Sequence, residues 1–140
     1  MIRRFICLVI VGLILSDGVA MASDAGKETA AISAAEKWLA TVDGGEYAAS
    51  WNEAAEFFRN AVKPKQWEQS LQAARKPLGK VISRKVQTKT YKTALPGAPD
   101  SEYVVIQFET SFENKKAAIE TVTPMMDKDG KWRVSGYYIK

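Results

Sequence analysis

The chain has 140 residues, 46% of them hydrophobic, a formal net charge of +4, one cysteine and no histidine. The cysteine, Cys7, lies in an apolar N-terminal stretch, so the rest of the chain carries neither thiol nor imidazole. Ser-His-Asp and Cys-His catalysis, zinc sites built on nitrogen or sulfur, and thiol redox chemistry are therefore excluded from it.

Residues 1–22 read as a secretory signal: a basic start at Arg3 and Arg4, an apolar run from Phe5 to Leu15, and an Ala20-Met21-Ala22 small-x-small site that predicts cleavage between Ala22 and Ser23. The run falls well short of the roughly 20 apolar residues a spanning helix needs. Cys7 follows Ile6 inside that run, not a small residue at its end, which argues against a lipid anchor. The expectation is a periplasmic or secreted protein. One α+β domain, residues 23–140, must then be held by its core without disulfides.

From Ala30 to Val42, Ile32, Ala35, Leu39 and Val42 recur at helical spacing beside Trp38, and Asp43-Gly44-Gly45 ends the segment. Tyr47, Trp51, Ala55, Phe58 and Val62 mark a second helix, with a break near Asn52. Pro64 suits the first turn of a third, whose apolar face is Trp67, Leu71 and Ala74 and which closes at Pro77-Leu78-Gly79. The three tryptophans on these faces are read as core.

After Gly79 the period falls to two and valine, threonine, isoleucine and tyrosine dominate, which predicts strands. Their bounds are about 81–93, 102–112, 117–126 and 132–139. The second alternates Val104, Ile106, Phe108 and Phe112 inward with Tyr103, Gln107, Glu109 and Ser111 outward. Helices followed by hairpin-linked strands predict three N-terminal helices on one curved four-stranded antiparallel sheet.

Between Arg75 and Lys92 the cations Arg75, Lys76, Lys80, Arg84, Lys85, Lys89 and Lys92 occur without an acidic residue. Such a run reads either as a solvated strand face or as a docking strip for an anionic partner: lipid headgroups, a polyanion or an acidic protein. Nucleic acid is not expected. Asp127-Lys128-Asp129-Gly130 resembles the start of a calcium loop, but Tyr138 stands where the closing glutamate belongs, so the segment reads as a hairpin turn and no metal or cofactor is expected.

Five blocks carry a family resemblance: Glu46 to Ala55, Arg75 to Gly79, Leu95 to Asp100, Glu120 to Pro124 and Asp129 to Tyr137. They resemble a bacterial family of exported proteins defined as domain of unknown function 4019. The resemblance implies the cone-shaped α+β fold of nuclear transport factor 2 and the cystatin-like proteins. It brings no activity and no catalytic residues.

In a cone the place for function is the cavity between helices and concave sheet. Alternation puts Arg84 on the side of Ile82, Val86 and Thr88, where its guanidinium needs a carboxylate, a carbonyl or an anionic ligand. A three-residue loop at Asp129-Gly130, with Gly130 left-handed, sets Glu120 opposite Tyr138 alongside Trp132 and Val134. A two-residue loop groups Glu120 with Val122, Arg133 and Tyr137 instead. The first register is preferred. Arg84 and Glu120 then either satisfy each other or hold an anionic ligand, with Arg133, Tyr137 and Tyr138 as further lining residues.

The leading expectation is a non-enzymatic module that binds a small molecule or peptide in the cone. An alternative is an interaction or scaffolding protein, homodimeric through an outer face bearing Tyr103, Val105 and Gln107. A third reading, a small isomerase or dehydratase using Glu120 with Tyr138 or Arg133 with Tyr137, rests on analogy with ketosteroid isomerase.

Overall fold

The computed structural model describes the backbone from Asp17 to Lys140 and the side chains from Asp24. The basic start and apolar run of the proposed signal lie outside these residues. Helix α1 spans Asp17–Asp43, so it starts well before the Ala30 that periodicity predicts and carries the Ala22–Ser23 peptide bond within it. Ala31, Ala35, Trp38, Leu39 and Val42 form its buried stripe. It stops at Gly44-Gly45, where Gly45 takes φ 77° and the Gly44 and Glu46 N–H groups return to the carbonyls of Ala40 and Thr41. No helix among the described residues is long and apolar enough to cross a membrane.

The expected second helix is two: α2 (Tyr47–Glu53) and α3 (Glu56–Ala61). Between them Ala54 and Ala55 are extended and fully buried, and the Ala55 N–H donates to the Val134 carbonyl at 2.8 Å. That backbone bond to the sheet replaces helical continuity. Helix α4 (Pro64–Ala74) opens on Pro64 and buries Trp67 and Leu71; a 3-10 turn, Lys76–Leu78, leads to Gly79 at φ 76°.

Strands β1 (Val81–Lys92), β2 (Tyr103–Phe112), β3 (Lys115–Met126) and β4 (Trp132–Ile139) form one antiparallel meander in sequence order. The fold class is the α+β arrangement expected, with four helices in place of three. The inner face packs Val104, Ile106, Phe108, Val122 and Val134 against Trp38, Leu39, Phe58, Trp67 and Leu71. Tyr103, assigned outward by alternation, does face outward, yet it is buried. Met125, Leu95 and Ala98 cover it, and its hydroxyl donates to the Pro99 carbonyl at 2.5 Å.

Four register shifts shape the sheet, one of them between Thr110 and Phe112 where β2 pairs with β3. In β1, register shifts between Val81 and Ser83 and between Val86 and Thr88 break the alternation, so Thr88 lies opposite Gln107 on the outer face while Ile82 and Val86 remain exposed. In β3 and β4, Pro124 pairs with Val134 but Val122 pairs with Tyr137, so one extra residue is absorbed at Ser135-Gly136. The turn is the three-residue loop with Gly130 at φ 80°. Beyond the bulge, however, Tyr138 lies opposite Thr121, and Tyr137 takes the inward place.

Candidate functional site

Glu120 is the centre of the inner face, 0% exposed although it is a carboxylate. A buried charge persists only if its lone pairs are taken. Oε1 accepts from Arg84 Nε at 2.8 Å and from Thr110 Oγ1 at 2.6 Å; Oε2 accepts from the Tyr137 hydroxyl. Thr110 comes from the inward row of β2, Arg84 from its Cα partner position on β1, and Tyr137 from beyond the β4 bulge. Three strands therefore converge on one carboxylate.

Arg84 continues the chain outward. Its two terminal nitrogens donate to Asp43 at 2.7 and 3.0 Å in a bidentate fork, and Asp43 also accepts from Arg75 at 3.2 Å. Arg75 is buried, bonds the Gly79 carbonyl at 2.6 Å and lies 4.6 Å from the Phe112 ring centre. Burial works against the Arg84 charge, but its bonds to Asp43 and Glu120 outweigh that and hold the pKa above the ordinary arginine value. The Tyr137 hydroxyl is raised by burial and then by the adjacent Glu120 carboxylate, so it stays a proton donor.

Around this line aromatic side chains pack against one another. Trp38 meets Tyr137 edge-on at 5.2 Å, and Trp67 lies 6.2 Å from Trp38 and 4.9 Å from Phe58. Buried Ser50 anchors both indoles: its carbonyl accepts from Trp38 Nε1 at 2.8 Å and its hydroxyl from Trp67 Nε1 at 2.9 Å. Trp51 is half-buried and donates to the Val62 carbonyl at 2.7 Å. All three helical tryptophans pack with the core.

Of the five candidate residues, Arg84, Glu120 and Tyr137 meet, while Arg133 and Tyr138 are elsewhere. Arg133 faces outward and grips the turn, donating to Asp129 at 2.7 Å twice and to Asp127 at 3.2 Å; Tyr138 is 58% exposed on the same outer side. The grouping of Glu120 with Tyr138 is thus corrected to Glu120 with Tyr137, because the Ser135-Gly136 bulge shifts the second half of β4 by one residue. The acidic turn that resembles a calcium loop spends its carboxylates on Arg133. Asp43 and Thr110 were not anticipated. Thr110 was visible as the polar interruption between Phe108 and Phe112 in an otherwise apolar row.

The basic run divides. Arg75 and Arg84 are committed to the interior, Lys85 pairs with Glu109 at 3.3 Å, and Lys89 lies 3.7 Å from Glu28. Lys76, Lys80 and Lys92 are exposed and form no ion pair among the described residues.

Open space lies at the surface. A cleft of about 530 Å³ between α3, the 99–101 loop and the β3–β4 turn has Phe57, Pro99, Met125 and Met126 as its apolar lining and Glu56, Asn60, Asp100, Asp127 and Lys128 as polar groups. Asp127 is engaged by Arg133 and by the Glu56 and Lys128 N–H groups, and Glu56 lies 3.6 Å from Lys128; Asp100 makes no ion pair among the described residues.

Fold and site together define an α+β domain with an inward-facing ion network set among core aromatic side chains. Within that class, residues 34–137 match the family described as Protein of unknown function (DUF4019), and the chain belongs to it. No curated protein and no solved structure matches the chain.

Proposed function

We propose that this is an exported, non-enzymatic binding module whose ligand, a small molecule or peptide, meets the surface cleft beside α3 and not the cone interior. The observation that carries this reading is the contrast between the two places. Glu120 and Arg84 have their hydrogen-bonding groups engaged by protein, whereas the cleft offers half-buried Phe57 and Met126 over buried Met125, with Asp100 at its rim. Its volume lies within the usual range for small-ligand sites, and its lining has their usual character: an apolar floor and a few polar groups. Methionine side chains adapt to varied shapes, and the acidic surplus favours a ligand that joins an apolar group to a positive charge.

The test is native mass spectrometry of the protein purified gently from the producing cell, beside its Phe57→Asp variant. The expected result is added mass on the parent chain that the variant loses. A bare parent chain, together with no NMR shift at Phe57 or Met126 on adding short lysine-containing apolar peptides, would sink the reading.

A second reading, a homodimer through the outer sheet face, is favoured by Thr121, whose hydroxyl is buried on that face without a hydrogen-bond partner, next to exposed Tyr138. Val105 and Gln107 belong to this surface; Tyr103 does not, being covered by the Leu95 to Pro99 loop. Light scattering that gives twice the chain mass, falling to one on Tyr138→Asp, would select it.

A further inference from the structure

At the end of the sheet where β1 begins, an exposed aliphatic side chain and several lysines are found together. Val81 pairs with Phe112 and Ser83 with Ser111, so Ile82 is the residue the bulge leaves unpaired, and its side chain is 57% exposed. Lysines flank it along the chain and lie on nearby strands. Lys80 precedes it by two residues; Lys85 and Lys116 line, with Ser83, Ser111 and Ala117, a shallow depression of about 330 Å³. Lys76 lines the neighbouring cleft with Lys80, and Lys115 lies opposite Phe112.

Three carboxylates line these two depressions; Asp43 is paired with Arg75 and Arg84, which leaves Glu109 and Glu113 against five lysines. Glu113 accepts the Lys80 backbone N–H at 2.7 Å, and Glu109 approaches Lys85 alone, at 3.3 Å between well-exposed groups. Lys76, Lys80, Lys115 and Lys116 form no ion pair among the described residues.

Lysines and bulges on an edge strand are a known defence against edge-to-edge pairing. That accounts for the cations and for the interrupted backbone, and the same interruptions make β1 a poor template for a partner strand. It does not account for a large aliphatic side chain held outward between Lys80 and Lys85, which such a defence would avoid. An exposed apolar side chain flanked by lysines suits a surface that is anionic at the level of the ammonium groups and apolar just beneath.

We propose that this end of the molecule docks on an anionic phospholipid surface, with Lys76, Lys80, Lys85, Lys115 and Lys116 at the headgroups and Ile82 inserted between them. The contact is peripheral and reversible. Its strength falls as salt screens the lysines, and it does not involve the cleft beside α3.

The test is co-sedimentation of the protein recovered from the producing cell, its N-terminus established by intact mass, with vesicles of equal parts phosphatidylglycerol and phosphatidylcholine, against phosphatidylcholine alone. Binding is expected on the anionic vesicles only, weakening as salt rises. With each charge reversal outweighing the roughly fivefold worth of one lysine near such a surface, Lys80→Glu with Lys116→Glu should weaken it by at least about 25-fold. Ile82→Ser should weaken it several-fold with charge unchanged. Circular dichroism melts check that the variants fold, and Lys80→Gln with Lys116→Gln replaces the reversal if it does not. No binding at low salt, equal binding to neutral vesicles, or binding that survives Ile82→Ser would overturn the proposal. So would binding to polyglutamate without binding to vesicles, which would make the patch a site for acidic protein.

Discussion

Two arginines in this molecule each hold two carboxylates, and they do opposite work. Arg84 joins Asp43 to a wholly buried Glu120; Arg133 joins Asp127 to Asp129 at the rim of the β3–β4 turn. The bond lengths are alike, between 2.7 and 3.2 Å. What differs is the alternative open to each carboxylate when its arginine is lost. Asp129 turns to water, whereas Glu120 has only Thr110 and Tyr137. Burial, not geometry, sets the worth of an ion pair.

The largest effect is therefore expected at Arg84. Arg84→Ala should cost about 3–5 kcal/mol in urea denaturation, because it strands a buried charge. Lysine should rescue little, since one ammonium cannot reproduce an Nε bond to Glu120 together with a fork on Asp43. Replacing both partners, Arg84→Met with Glu120→Leu, should recover most of the loss, because the desolvation penalty then disappears. A loss below about 1 kcal/mol for Arg84→Ala would mean that the network is open to water, and the inner face would return as a place for an anionic ligand.

Next comes the donor on the other oxygen. Tyr137→Phe keeps the ring against Trp38 but removes the described hydrogen bond to Glu120 Oε2, and should cost about 1.5–3 kcal/mol, as expected for a buried bond to a charged acceptor. Tyr138→Phe is the paired control: the same substitution one residue along, on the exposed face, should fall within about 0.5 kcal/mol of the parent. A larger loss at Tyr138 than at Tyr137 would show that the bulge does not turn Tyr137 inward.

That pair also marks how far the sequence could be read. Helical and strand periodicity, the proline at the start of α4, the Gly44-Gly45 stop and the three-residue turn at Gly130 are local signals, and each is legible from adjacent residues. So was an inward Arg84 facing Glu120, because burying one charge calls for the other. The β4 bulge was not. Ser135-Gly136 is compatible with regular pairing, and the extra residue is absorbed to bring Tyr137 to Glu120 while Trp132 and Val134 stay on the core side. Nor was Asp43, which read as part of a helix stop. Its role depends on where β1 passes α1, a tertiary relation that no spacing encodes. The α2–α3 break was legible only in kind, since its position is chosen by the Ala55 bond to Val134.

Arg133→Ala should cost about 1 kcal/mol or less at low salt, with the loss shrinking as salt is added, because Asp129 faces solvent and the more covered Asp127 keeps the Glu56 and Lys128 N–H groups. The Arg84→Ala loss should respond to salt far less. A salt-independent loss at Arg133 would mean that the turn is packed more tightly against α3 than its exposure suggests.

The smallest effect is one of pH, and its sign is set by the same turn. The bonds from Arg133 hold the Asp129 carboxyl at about 2, below its ordinary 3.8. Asp127 is also lowered: burial opposes the shift, but the Lys128 and Glu56 N–H groups and Arg133 outweigh it. A carboxylate depressed on folding contributes its stability in full above the unfolded pKa and loses it as pH falls through the folded one. The difference between the parent chain and Arg133→Ala should therefore be constant from neutrality down to about pH 4. It should then close toward pH 2, as both aspartates take up protons and the arginine loses its partners. Urea midpoints compared at pH 7 and pH 2 measure this directly. A difference that persists undiminished at pH 2 would assign the Arg133 contribution to packing of its aliphatic stem against the sheet, and the contrast between the two arginines would then be one of side-chain burial alone.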